Sequence, residues 1–281
     1  MGVGYNAAHH AGIRQEIQKE TRKRVMQSQY LETALAAARA AETVVRRYWQ
    51  QNVEIEIKED ATPVTVADVE TEKAIKAVIL DAFPDHGFYG EETGKTKPEA
   101  EFTWLVDPID GTKSFVREYP FFSTQIALMK GDELILGVSS APVFGEYAYA
   151  EKGGGAFYMD QQARVSSIDA LGDATLSLGN LTTLARQPVG WAGLATLVTE
   201  VNRTRGYGDF YHYHLLARGA IDLVIESDVN VLDIAALSVI VEEAGGVFTD
   251  LEGKGVGLET TTVCAAANTE LHQIARKRLG Y

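Results

Sequence analysis

The stretch "WLVDPIDGTKSF", residues 104–115, sends an apolar run straight into two aspartates three positions apart and then into Gly-Thr-Lys. Carboxylates on apolar flanks lose hydration and repel each other unless a cation neutralises them. Other segments bring carboxylates to element ends as well: Asp68 in "TVAD", Glu91 after "HGFYG", and Asp233 after "ESDVNVL". An oxygen-only donor set of this kind suits a hard ion such as Mg²⁺. Pro108 fixes the turn between Asp107 and Asp110, so the two can converge on adjacent ions while the Ile109 carbonyl is available as a further oxygen. Two ions sharing Asp107 would form the clamp used for in-line phosphoryl transfer to water. Gly111, Thr112 and Lys113 follow directly, and their backbone N–H groups would cradle an anion if a turn or helix begins there. Glu92 and Asp85 read more simply as capping or solvated groups.

The elements that must position these groups are legible from periodicity. Residues 30–49 carry Leu31, Leu35, Ala38, Val45 and Trp49 near a helical period. "VEIEIK" alternates and predicts a strand. After a turn at Pro63, a helical face of Val69, Ile75, Val78, Ile79 and Ala82 runs until Pro84 stops it. From 121 to 158, short β-rich runs separated by Gly or Pro signals predict an antiparallel meander. Beyond about residue 170 strands and helices alternate, which predicts an extension over 1–27, an α+β half over 28–170 and an α/β half over 171–281.

Composition excludes several classes of function. With 46% hydrophobic and 23% charged residues the 281-residue chain can bury a large core, and its net charge of −13 argues against a nucleic-acid backbone as partner. Cys264 is the only cysteine, which rules out an internal disulfide and reads as a core residue in a cytoplasmic protein. No apolar run is long enough for a bilayer and no signal pattern opens the chain. His9 and His10 fall in the extension and read as solvated. Met26 stands just before the first patterned helix and could be an ancestral start. His212 and His214 sit two apart on a predicted helix, so they cannot share a metal. "GGGAF" at 153–157 precedes no helix and reads as a turn.

"GEETG", "DPIDGTKSF" and "LDIAALSVIVEEAGG" together resemble the signature segments of the inositol monophosphatase superfamily, from about residue 28 to the C-terminus. The resemblance implies a layered αβαβα fold, a homodimer, lithium sensitivity and two to three Mg²⁺ ions per subunit. It implies that Glu91, Asp107 and the Ile109 carbonyl hold a first ion, that Asp107, Asp110 and Asp233 hold a second, and that a weaker third uses Glu91 and, through water, Asp68. It further implies that Thr112 and Glu91 orient the attacking water. Where the family carries Trp before the last metal aspartate this chain has Leu232, which predicts a reshaped pocket wall with metal binding intact.

Within the superfamily, "PVTVAD", "STQIAL" and "RTRGYGDFYHYHLLARGAIDLVIES" resemble the histidinol-phosphatases of bacteria and plants. That resemblance implies hydrolysis of L-histidinol phosphate to L-histidinol and phosphate, in histidine biosynthesis. Asp209 stands where inositol phosphatases carry a small residue near the sugar ring, and Glu226 matches a substrate-binding Glu. Two acids would suit a cationic organic end. Asp209 also reads as an N-cap of the helix that follows it. Rival expectations are an inositol monophosphatase or nucleotide 3′-phosphatase of the same superfamily, and an inactive metal-binding interaction protein.

Overall fold

The computed structural model describes residues 28–51, 55–57 and 63–281, so the extension with His9, His10 and Met26 lies outside the described residues. Helix α1 (Gln29–Tyr48) is capped by the Ser28 side chain, which accepts from the Leu31 N–H. Its buried face consists mainly of small residues, Ala34, Ala37, Ala38 and Ala41 with Leu31, Val44 and Val45, whereas Leu35 and Trp49 stay half-exposed. These alanines are thus the contact surface, and they let helix α2 (Val66–Ala82) approach closely.

Strands β1 (Ile55–Ile57) and β2 (Pro63–Thr65) form a separate antiparallel pair. Pro63 therefore opens a strand instead of making the expected turn, a place where its missing N–H is tolerated. The buried face of α2 also departs from the apolar expectation: it runs through Asp68, Thr71, Glu72, Ile75 and Ile79, while Val69, Val78 and Ala82 lie at its margins. Its first two turns are polar because they abut the cleft described below.

The main sheet has eight strands: β3 (Gly87–Gly90), β4 (Gly94–Thr96), β5 (Phe102–Asp110), β6 (Ser123–Lys130), β7 (Glu133–Ala141), β8 (Glu146–Glu151), β9 (Gly155–Tyr158) and β10 (Gln161–Ala163). Their order is β10-β9-β8-β7-β6-β5-β3-β4, so the expected meander occupies one continuous flank. Alternation divides the faces: Trp104, Val106, Ile126 and Leu128 pack on α1 and α2, and Leu105, Ala127 and Met129 point the other way.

A five-stranded mixed sheet follows, built from β11 (Thr175–Leu178), β12 (Arg203–Arg205), β13 (Leu223–Ser227), β14 (Val247–Thr249) and β15 (Thr262–Ala266) in the order β12-β11-β13-β15-β14. Helix α3 (Thr112–Val116) follows β5, and α4 (Thr182–Ala185) and α5 (Pro188–Glu200) lie between β11 and β12. Helices α6 (Asp209–Ala217) and α7 (Val231–Glu243) fill the space between the sheets, and α8 (Thr269–Leu279) covers the outer face with α5. The layers read α-β-α-β-α, as expected. Helix α7 is apolar all round because both sides are buried. Gly137 on β7 makes its approach possible, since a Cβ there would stand 2.2 Å from the Ala236 carbonyl oxygen. Cys264 is buried, and no helix among the described residues is long and apolar enough to cross a membrane.

Candidate active site

Strand β5 stops pairing regularly at its end: Asp107 faces Gln125 and Asp110 faces Ser123, so three steps on β5 match two on β6. This bulge follows from Pro108, which cannot donate to the ladder and whose carbonyl is taken by the Thr124 hydroxyl at 2.8 Å. The Ile109 N–H turns back onto Asp107 Oδ1 at 2.9 Å. Gly111 then adopts φ +93°, and a Cβ there would meet the Phe121 carbonyl at 2.7 Å, so only glycine turns the chain into α3 here.

Asp233 comes to the same place from α7. Asn230 caps that helix, and its backbone N–H and side-chain amide both donate to Asp233, at 2.9 and 2.6 Å. Oxygen atoms of Asp107, Asp110 and Asp233 all lie within 4.8 Å of one another. Burial, then Glu91, Asp110 and Asp233, push the Asp107 carboxyl well above its ordinary range. Burial and then Asp233 do the same to Asp110, and Asp233 is pushed up to about 7, by burial first. Three hard oxygen donors strained by mutual repulsion fit a divalent cation such as Mg²⁺.

These residues form the floor of a cleft of about 620 Å³ that also receives Glu91, Ile109, Gly111, Thr112, Lys113, Asp209 and Glu226. Seven carboxylates line it against one cationic side chain, Lys113, so a phosphate dianion would be repelled without bound cations. Asp68 is the one expected site residue that does not line the cleft. It is fully buried, with one oxygen taken by the Thr65 N–H and hydroxyl and the other by the Thr112 hydroxyl at 3.2 Å. Burial raises its affinity for a proton. Leu232 also stays out of the cleft, packing with Leu105, Ala127 and Met129.

The opposite wall is built differently. Glu226 on β13 is 3% exposed and takes the Tyr213 hydroxyl at 2.7 Å and the Asn180 N–H at 3.1 Å. His212 Nε2 lies 3.1 Å from Glu226 Oε2. A carboxylate only accepts, so that nitrogen carries the hydrogen. Burial would raise Glu226, but His212, Tyr213 and Asn180 outweigh it and hold the carboxyl below its usual range. Asp209 faces this group. Gly208, not Asp209, is the N-cap of α6, so the capping reading of Asp209 fails. Asp209 sits at φ +44°, a conformation Asp tolerates better than most residues, and is pushed up to about 6 by burial and then by Glu226. Asp110, Asp209, Glu226 and Asp233 line a smaller recess of about 30 Å³ opening behind the cleft floor.

Glu72 escaped sequence reading. Its fully buried carboxylate accepts the N–H groups of Glu92 at 2.7 Å and Thr93 at 2.9 Å, clamping the turn that carries Glu91. The available signal was its place one helical turn after Asp68. The "GGGAF" stretch is a turn, as expected, only at Gly153 and Gly154, and its remaining residues open strand β9; the Gly153 and Gly155 N–H groups donate to Glu243. His212 and His214 point to different partners, Glu226 and Ser139.

Residues 26–279 match the inositol monophosphatase family. The chain belongs to that family. It is 40% identical over 226 residues to the histidinol-phosphatase of Mycobacterium tuberculosis, covering 78% of this chain and 86% of that one. It is 34% identical over 233 residues to the inositol-1-monophosphatase of Rhizobium meliloti, covering 81% of this inositol monophosphatase family member and 87% of the relative. Among solved structures, the extragenic suppressor protein suhB from Bartonella henselae superposes with a TM-score of 0.82 at 29% identity, covering 90% of this chain and 98% of the other.

Proposed function

We propose that this chain hydrolyses a small phosphate monoester with a cationic organic end, L-histidinol phosphate foremost, using two to three Mg²⁺ ions per subunit. As a member of the inositol monophosphatase family it is a phosphoric monoester hydrolase, so the proposal concerns the ester and the residue roles. Glu91, Asp107, the Ile109 carbonyl, Asp110 and Asp233 would hold the ions. Bound there, Mg²⁺ supplies charge neutralisation for the phosphoryl oxygens and a water made acidic enough to attack.

The chain's own groups do the rest. Thr112 Oγ1 lies 3.2 Å from Asp68 Oδ1 and 3.0 Å from the Ile109 carbonyl, placing one hydroxyl proton between two acceptors at the edge of the acidic cluster. In this position the hydroxyl accepts a hydrogen bond from the attacking water while donating its own to Asp68, with Glu91 holding the water from the other side. Asp68 therefore acts through Thr112. Gly111, Thr112 and Lys113 line the cleft, and their backbone N–H groups would receive the phosphate.

The observation that carries the choice of ester is the pair Asp209 and Glu226 around the small recess, which has room for one or two water-sized groups and, beside the proposed ion ligands Asp110 and Asp233, two further carboxylates to receive them. An ammonium group satisfies that wall, whereas the hydroxyls of a neutral polyol gain less from it. The histidinol-phosphatase relatives support this reading, and the inositol-1-monophosphatase relatives keep inositol 1-phosphate as the second candidate. A homodimer through the meander, inhibition by lithium and a cytoplasmic location belong to the same proposal.

The test is a panel of phosphate esters assayed with Mg²⁺. The expected result is a higher kcat/KM for histidinol phosphate than for inositol 1-phosphate or a nucleoside 3′-phosphate. Preference for the polyol would overturn the choice of ester, and no turnover of any ester would favour an inactive metal-binding protein.

A further inference from the structure

A chain of buried polar side chains leaves the acidic cluster and crosses the eight-stranded sheet. Ser123 Oγ lies 3.3 Å from Asp110 Oδ2, Gln125 Nε2 lies 2.8 Å from Ser123 Oγ and 3.1 Å from Ser139 Oγ, and His214 Nε2 lies 2.9 Å from Ser139 Oγ. Ser123, Gln125, Ser139 and His214 are each no more than 1% exposed. Register explains the alignment: Asp107 pairs with Gln125, Gln125 with Ser139, and Asp110 with Ser123, so their side chains share the face turned toward α6 and α7.

The chemistry of the groups gives this chain one direction. A carboxylate can only accept, so the Ser123 hydroxyl proton goes to Asp110. Ser123 oxygen must then accept from Gln125, which places the amide NH₂ between the two serines with one hydrogen for each. Ser139, holding one of those hydrogens, is free to donate to His214, whose charged form is disfavoured by burial despite the nearby Glu146. Gln125 Oε1, by contrast, is buried with no hydrogen-bond partner. An apolar side chain of similar volume would remove that stranded acceptor at the cost of the two serine contacts, so stability alone does not select an amide here.

We propose that Gln125 is a positioning residue for Asp110: its two N–H groups hold Ser123 in the rotamer whose hydroxyl grips Asp110 Oδ2, leaving Oδ1 aimed at the cation. This rests on the proposed use of Asp110 as a metal ligand. Such outer partners orient a ligand before the ion arrives, and their loss typically weakens metal affinity about ten- to a hundredfold.

The test is Mn²⁺ titration of the full chain without substrate, following free Mn²⁺ by electron paramagnetic resonance, with thermal unfolding measured alongside. Gln125→Met and Ser123→Ala are each expected to weaken Mn²⁺ binding about tenfold or more, with the Tm of Gln125→Met unchanged or higher. Ser123→Thr, which keeps the hydroxyl, is expected to retain most of the affinity. Wild-type affinity in Gln125→Met would overturn the positioning role, and wild-type affinity in Ser123→Ala would overturn the contact through which it acts. If Gln125→Met does not fold, Gln125→Leu takes its place in the same titration. Wild type failing to bind Mn²⁺ would overturn the metal-centre reading itself, a different result from equal binding by all the proteins.

Discussion

Asp107 and Glu226 are equally inaccessible, each 3% exposed, yet their carboxyls are pushed in opposite directions. Burial penalises both; the surroundings decide the sign. Glu226 is surrounded by donors, from His212, Tyr213 and the Asn180 N–H, and is a completed anion. Asp107 has one backbone donor, from Ile109, and faces Glu91, Asp110, Asp233 and Asp68. The wall around Glu226, Asp209 apart, is thus electrostatically finished by the protein, and the other needs cations to be stable as an anion. The finished wall suits discrimination between ligands, and the unfinished wall suits an ion that takes part in the reaction.

Breaking the unfinished wall should have the largest effect. Asp110→Asn keeps the side-chain volume and removes a charged ligand, so turnover should fall by on the order of 10³-fold or more, with the circular dichroism spectrum unchanged. Near-wild-type kcat at saturating Mg²⁺ would show that this wall needs no cation there.

The other wall is tested by the ratio of two substrates. Asp209→Ala should reduce the preference for histidinol phosphate over inositol 1-phosphate by roughly ten- to a hundredfold, the worth of a hydrogen bond to a charged group. Phosphate and metals are common to both esters, so only contacts to the organic end can change the ratio. An equal loss on both esters would remove Asp209 from the specificity wall.

A pH profile sharpens the same point. Burial and then Glu226 push Asp209 up to about 6, so its charge should be present above that pH and lost below it. KM for a cationic ester should therefore rise more steeply as pH falls from 7 to 5 than it does in Asp209→Asn, which keeps only the titration of the ester's own phosphate at about pH 6. Glu226, held below its usual range, should stay charged throughout that window.

The smallest effect concerns the donors of the finished wall. Tyr213→Phe removes one of them, and losing one hydrogen bond to a charged group should raise KM for the cationic ester about tenfold, with kcat nearly unchanged. A fall in kcat with KM unchanged would place Tyr213 with the reacting end instead.

Periodicity was sufficient for most of the scaffold. The meander and the alternating strands and helices of the C-terminal half follow from two repeating patterns that tolerate small errors of register. It failed at α2, where a polar face was buried, because a pattern that scores only apolar residues cannot see a helix whose first turns pack against a site. At Pro63 the local turn signal was outweighed by antiparallel pairing with the strand just before it, Ile57 against Pro63.

Within the site, the acids of "DPIDGT" and the Asp233 helix were readable because their unusual composition, carboxylates against apolar flanks, is itself a physical anomaly that demands a partner. Glu72, Gln125 and Ser139 carried no such anomaly. Their roles arise from cross-strand register and from a turn 20 residues away, and the hydrogen bonds that define them exist only after the sheet has formed. The amino-acid order by itself determined which residues bear charge, where Pro108 breaks the ladder and where Gly111 permits the turn. Tertiary structure alone decided that Asp107 stands among acids and Glu226 among donors, because the sign of a buried group's pKa shift depends on what other segments bring within a few ångströms of it.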